Sequence, residues 1–221
     1  MSATAALGAL GLSPDGADFE PAAARLYPEL AAAARHLSGP EADEATRRLE
    51  APSPSSREAK KLLYLAVRAL RPELVVETGP FNGTASAFLL QALEDNGTGR
   101  LLSFDLPNAA DALNVPLPAG REPGWLVPDR LRHRYELVLG DVRTTLRSRL
   151  EAEPSLDLFF HDSLHTTRHM LFEYRVAWRR LRSGGLLVSD DVSWNFAFSA
   201  FTKRHRAASA RVGEVGVTRK R

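Results

Sequence analysis

Val75-Val76-Glu77-Thr78-Gly79-Pro80-Phe81-Asn82-Gly83-Thr84 decides the reading of this chain. An apolar run suited to a strand ends in a carboxylate, turns through two glycines four positions apart and enters a helical stretch. Spacing excludes two common phosphate-binding turns. A dinucleotide fingerprint needs glycine at its first, third and sixth positions, where counting from Gly79 gives Phe81 and Thr84. A P-loop needs Lys and Ser or Thr after its second glycine, and here Thr84-Ala85 follows Gly83. What remains is a turn able to cradle an adenosyl cofactor at the carboxyl edge of a parallel sheet. A tight strand-to-helix turn without a ligand has the same local grammar.

Outward from this turn, strands and helices alternate. Glu73–Glu77 reads as the first strand and Thr84–Glu94 as a helix; Leu101–Asp105, Glu136–Leu139, Leu156–Phe160 and Leu186–Val188 read as further strands. Thr167–Leu181 is a helix closed by Arg179, Arg180 and Arg182, cations that complement its dipole. Apolar strands separated by helices imply an α/β fold, a mostly parallel sheet covered on both faces. Upstream, Leu26, Leu30, Ala34 and Leu37 recur at helical spacing until Gly39-Pro40, and a short helix is predicted over 41–49. Residues 1–54 thus form an N-terminal helical extension and 55–221 the main domain, which opens on a Ser55–Glu58 capping box. Residues 107–134 hold five prolines and no periodicity, which makes them a candidate lid.

Each predicted strand delivers an acid to one edge of the sheet: Glu77, Asp105, Asp141, Asp162 and the pair Asp190-Asp191. Ligands bind at that edge in open parallel sheets. Asp105 is placed to accept hydrogen bonds from ribose hydroxyls, and Glu77 either orients the turn or meets an amino group. Asp141 approaches an adenine edge or caps the next helix. Gly79, Phe81, Gly83 and Thr84 complete the candidate cofactor-binding set. Asp162, Asp190 and Asp191 form a second group, about 5 Å apart if their strands are neighbours. Carboxylates that close repel unless a cation joins them, and oxygen-only ligation selects Mg²⁺. The alternative is one cap and one Arg pair.

His161, His165 and His169 are spaced by four, yet no Glu follows His165, so the zinc-protease motif is absent. His165, just past Asp162, is the candidate general base, because its ordinary pKa near ~6.5 suits that role. A net charge of +2 over 221 residues implies no nucleic-acid affinity, and the basic Lys203–Arg206 and Arg219–Arg221 runs lack interleaved aromatics. Zero cysteines exclude disulfides and thiolate metal sites and fit a reducing compartment. The start of the chain reads as neither a signal peptide nor a membrane span, so a cytoplasmic protein is expected.

The motifs LLYLAVRALRPELVVETGPFNGTAS, LLSFDLP, ELVLGDV, LDLFFHDSLH and SGGLLVSDDVSWN, in this order, resemble class I S-adenosylmethionine-dependent methyltransferases. The nearest likeness is to small-molecule O-methyltransferases of the cephalosporin-hydroxylase-like and macrocin-like group. The resemblance implies a Rossmann-like sheet of up to seven strands ending in an antiparallel hairpin, which the short C-terminus confines to very short strands. It implies S-adenosylmethionine along Glu77, Gly79, Gly83 and Asp105. It also implies Mg²⁺ at Asp162, Asp190 and Asp191, and catalysis by Asp162 and His165, the latter where catechol-type members carry a lysine. Those members have a serine where Ala85 stands, leaving Thr84 or Ser86 to substitute. The expected reaction is methyl transfer to a hydroxyl of a small, natural-product-type acceptor. Metal-independent N- or O-transfer and a non-catalytic binding module are the alternatives. The Ala- and Leu-rich N-terminal helices are a candidate homo-oligomer surface.

Overall fold

Pro72 separates the strand-entering turn from a long helix, and the chain around it builds a three-layer α/β sandwich. The computed structural model describes residues 1–37, 39–107 and 117–221. In chain order the elements are α1 (Ala3–Ala9), α2 (Phe19–Arg35), α3 (Pro40–Glu50), α4 (Pro54–Leu70), β1 (Leu74–Thr78), α5 (Thr84–Asn96) and β2 (Arg100–Asp105). A 3₁₀ turn (Asp129–Arg134), β3 (Tyr135–Leu139), α6 (Val142–Glu151), β4 (Leu156–His161) and α7 (Thr167–Arg180) follow. Then come β5 (Leu181–Ser189), α8 (Ala197–His205), β6 (Ala208–Val212) and β7 (Val215–Arg219).

The seven strands lie in the order β3-β2-β1-β4-β5-β7-β6, parallel except for β7, which runs antiparallel to both β5 and β6. The order reverses between β1 and β4, and the crevice outside their carboxyl ends is where such sheets take ligands. Alternation along each strand sends side chains to opposite faces. Val75, Leu101, Leu158 and Val188 pack under α1, α2, α4 and α5, whereas Val76, Leu102, Phe159 and Leu187 pack under α6, α7 and α8.

The first helices differ from the sequence reading in two places. Helix α4 begins earlier than the capping box implied: Ser53 is the N-cap, accepting from the Ser56 N–H at 3.2 Å, and Pro54 takes the first helical position. Pro is pre-organised for that position and lacks only a donor that would have no helical partner. Glu58 instead accepts from the Ala3 N–H (2.6 Å) and ties α1 to α4. Helix α1 itself was not predicted; its Ala3, Ala6 and Leu7 are buried in the core. Leu7 of α1 and Leu26 and Leu30 of α2 pack within the chain's own core.

The C-terminal hairpin is longer than the tail suggested, because β7 runs through Arg219. The Arg219 guanidinium donates to the carbonyls of Leu10, Gly11 and Gly184, and Lys220 Nζ donates to those of Trp178 and Leu181. Those basic residues fasten the terminus to the fold. Among the described residues, no helix is long and apolar enough to cross a membrane.

Candidate active site

The glycine turn is dictated by how closely β1 approaches β4. Gly79 has φ 76°, and a Cβ there would lie 2.2 Å from the Asp162 carbonyl oxygen. Only glycine fits both the left-handed backbone and that crossing. Phe81, at the tip, also has positive φ (48°); its N–H donates to Asp105 Oδ2 at 3.1 Å. Asp105 Oδ1 takes the Leu106 N–H at 2.8 Å, so the acid ending β2 fastens the turn.

Behind the turn, the N–H groups of Gly124 and Leu126 donate to the carbonyls of Phe81 (2.7 Å) and Asn82 (2.9 Å). Leu126, Val127 and Leu131 are buried. Residues 117–134 are thus tied to the glycine turn at Gly124 and Leu126, and residues 108–116 of the candidate lid lie outside the described residues.

In front of the turn opens a cavity of about 630 Å³. Of the residues singled out by sequence, Gly79, Phe81, Asp105, Asp141 and Asp162 line it. Asp141 lines the cavity and also caps α6, its carboxylate accepting the Arg143 N–H at 2.8 Å. Burial raises the Asp105 carboxyl above its ordinary range, against the two N–H bonds it accepts. Leu106, Arg143, Ser163, Leu164 and His169 are also among the walls and were not singled out as cofactor contacts.

Glu77, Gly83 and Thr84 stand behind the cavity instead of on its surface. Glu77 is fully buried; its Oε2 accepts from Ser86 Oγ (2.6 Å) and Ser103 Oγ (2.7 Å), while Oε1 has no partner. Burial pushes its pKa up to about 7 against the pull of the two serines. Glu77 thus joins α5 to β2. Gly83 lies against Gly124, where a Cβ would come within 2.8 Å of its Cα. Thr84 Oγ1 donates to Asn82 Oδ1, so neither candidate substitute for the missing serine is free: Ser86 serves Glu77 and Thr84 serves Asn82.

Strands β4 and β5 are neighbours, and the Asp190 N–H donates to the His161 carbonyl at 2.9 Å. Asp162 is driven well above the usual carboxylate range by burial and then by Asp190; burial and Asp190 likewise raise Asp191 to about 6. Yet among the described residues no three His, Cys, Asp or Glu side chains converge as a metal-holding group. Asp162, Asp190 and Asp191 share a field without forming a preassembled ligand set. His165 lies between them, with Nε2 3.9 Å from Asp162 Oδ1 and Nδ1 3.7 Å from Asp191 Oδ2. Burial lowers its pKa to about 4, well under the value assumed from sequence.

The other two histidines belong to a buried carboxylate that sequence reasoning missed. Glu173 of α7 accepts from Thr78 Oγ1 (2.6 Å), His161 Nδ1 (2.6 Å), Ser163 Oγ (2.7 Å) and His169 Nε2 (2.7 Å). Burial opposes its charge, but the two histidines prevail and hold it below the usual carboxylate range. The i,i+4 spacing of His169 and Glu173 was its only local signal.

A family model described as a methyltransferase domain matches residues 76–192, more than half of the chain. No curated protein matches. Among solved structures, the chain is similar to the S-adenosylhomocysteine-bound methyltransferase PaMTH1 of Podospora anserina, with 16% identity and a TM-score of 0.60 over 89% of this chain and 88% of that one. It is also similar to TomG of Streptomyces achromogenes, an O-methyltransferase involved in tomaymycin synthesis and solved with S-adenosylmethionine (18%, 0.60, 87% and 90%). A third is the O-methyltransferase of Bacillus cereus in complex with S-adenosylhomocysteine (16%, 0.58, 87% and 91%). At these identities the likeness establishes a shared fold.

Proposed function

The chain belongs to the methyltransferase-domain family, and we propose that it is a class I S-adenosylmethionine-dependent enzyme that methylates a hydroxyl of a small molecule from a cofactor held in the cavity at the β1/β4 switch. The observation that carries this reading is the join between Asp105 and the glycine turn: one carboxylate fastens Phe81 while it lines a cavity of about 630 Å³. The residues fit an adenosyl group. Asp105 is an acceptor at the end of β2, where ribose hydroxyls are bound in related sheets. Leu106 and Leu164 offer apolar walls for a base, and Asp141 lies at the β3 end of the cavity.

When bound, S-adenosylmethionine supplies an electrophilic methyl group on a sulfonium. The chain's contribution is alignment of the acceptor with that methyl, which removes much of the entropic barrier, and removal of the hydroxyl proton. His165 is neutral at pH 7, so a ring nitrogen has a lone pair for this proton. A base that weak needs help, and the charges of Asp190 and Glu173 favour the imidazolium that forms. Trp194, 69% exposed and 5.6 Å ring to ring from His165, offers a flat apolar face to the acceptor.

Magnesium at Asp162, Asp190 and Asp191 remains a second reading, favoured by the charge these acids crowd together. Among the described residues, these side chains do not converge as a metal-holding group as they stand. The test is transfer of labelled methyl to a panel of hydroxyl and amine acceptors, with and without chelator. Transfer to hydroxyls supports the proposal; label found only on nitrogen overturns it.

A further inference from the structure

We propose that Glu173 is a positioning residue that sets the floor of the cofactor cavity, acting through Thr78, His161, Ser163 and His169. The proposal rests on the reading that this cavity binds the cofactor. Glu173 has no exposed surface, and its four donors come from four places: β1, β4, the loop after β4, and α7 itself. Each is a cavity residue or the chain neighbour of one. Ser163 and His169 line the cavity and share Oε1. Thr78 and His161 share Oε2; they are register partners, and the residues that follow them, Gly79 and Asp162, are the pair whose backbones cross.

One carboxylate therefore fixes the separation of β1 and β4 where they meet the ligand, together with the first turn of α7. Stability alone does not account for it. Helix α7 is already anchored by Met170, Tyr174 and Ala177 in the apolar core. A well-packed apolar group in place of a buried charge is often neutral or stabilising. What an apolar residue cannot do is hold four donors from three segments in one geometry. A carboxylate, with lone pairs for about four donors, can.

The experiment is calorimetric titration of S-adenosylhomocysteine into wild type, Glu173→Gln, Ser163→Ala and the double variant, far below each melting temperature. The amide keeps the shape of the side chain but removes the charge and one acceptor oxygen. Glu173→Gln is expected to stay folded by circular dichroism yet bind about tenfold more weakly. Ser163→Ala should weaken binding less, and adding it to Glu173→Gln should change little, because the two act through one contact. A merely structural role would lower the melting temperature and leave the affinity of the folded protein unchanged. Wild-type affinity in Glu173→Gln overturns the proposal alone, as do losses that multiply in the double variant. Failure of wild type to bind overturns the cofactor reading and this proposal with it. If Glu173→Gln does not fold, Ser163→Ala and Thr78→Val carry the test: weakened binding in both supports the clamp, and wild-type affinity in both overturns it.

Discussion

Replacing Glu77 with glutamine should remove a pH dependence of stability that the wild-type fold carries. The glutamate is wholly buried, Oε1 has no partner, and burial raises its pKa from 4.5 to about 7. In the unfolded chain it ionises near its ordinary value. Between those two values the folded protein holds a proton that the unfolded chain has lost. The stabilisation is therefore complete below about pH 4.5 and is lost as pH rises through about 7. At about 1.4 kcal/mol per pH unit, the full change is about 3 kcal/mol. Glutamine keeps an acceptor for Ser86 and Ser103 but has nothing to ionise. Urea denaturation of wild type and Glu77→Gln at pH 5 and pH 8 isolates the effect, since the other raised acids, Asp105, Asp162 and Asp191, titrate in both proteins. The variant should gain about 2.5 kcal/mol relative to wild type between the two pH values, since part of the change is already complete at pH 5. A difference that stays constant with pH would refute the reasoning.

Other outcomes follow from the same geometry. Gly79→Ala combines a left-handed backbone with a Cβ 2.2 Å from the Asp162 carbonyl oxygen; it should cost about 2–5 kcal/mol by urea denaturation, and a loss under about 1 kcal/mol would contradict the close crossing. His165→Ala should lower kcat about a hundredfold or more while S-adenosylhomocysteine affinity stays near wild type; an unchanged kcat removes His165 from the chemistry. Turnover assayed in chelator should persist if the proton passes to His165 unaided, and a complete loss restored by Mg²⁺ would return Asp162, Asp190 and Asp191 to the role of ligands.

The parts of the fold that local chemistry encodes were legible in the sequence. Apolar runs marked β1, β2, β3, β4 and the core of β5, and the turn residues after the first four placed Gly79, Asp105, Asp141 and Asp162 at one edge, where the cavity lies. Other features depend on contacts that no local pattern reports. Glu173 reaches Thr78, 95 residues away in the chain, so its function as a clamp follows only once β1 and β4 are paired. Residues 117–134 looked unanchored because their ties are backbone bonds from Gly124 and Leu126 to the glycine turn, which leave no side-chain signature. The start of α4 was a different kind of miss. Ser53-Pro54-Ser55-Ser56 offers several caps, and proline's preference for the first helical position selects Ser53.

The central claim is that the cavity beside the glycine turn holds an adenosyl cofactor through Asp105. Calorimetric titration of S-adenosylhomocysteine into wild type and Asp105→Ala tests it most directly. The account predicts one site per chain in wild type and binding weakened at least about tenfold in the variant, since a charge-assisted pair of ribose bonds and the anchor of Phe81 are lost together. Equal affinity in the two proteins, or no binding to wild type, would contradict it.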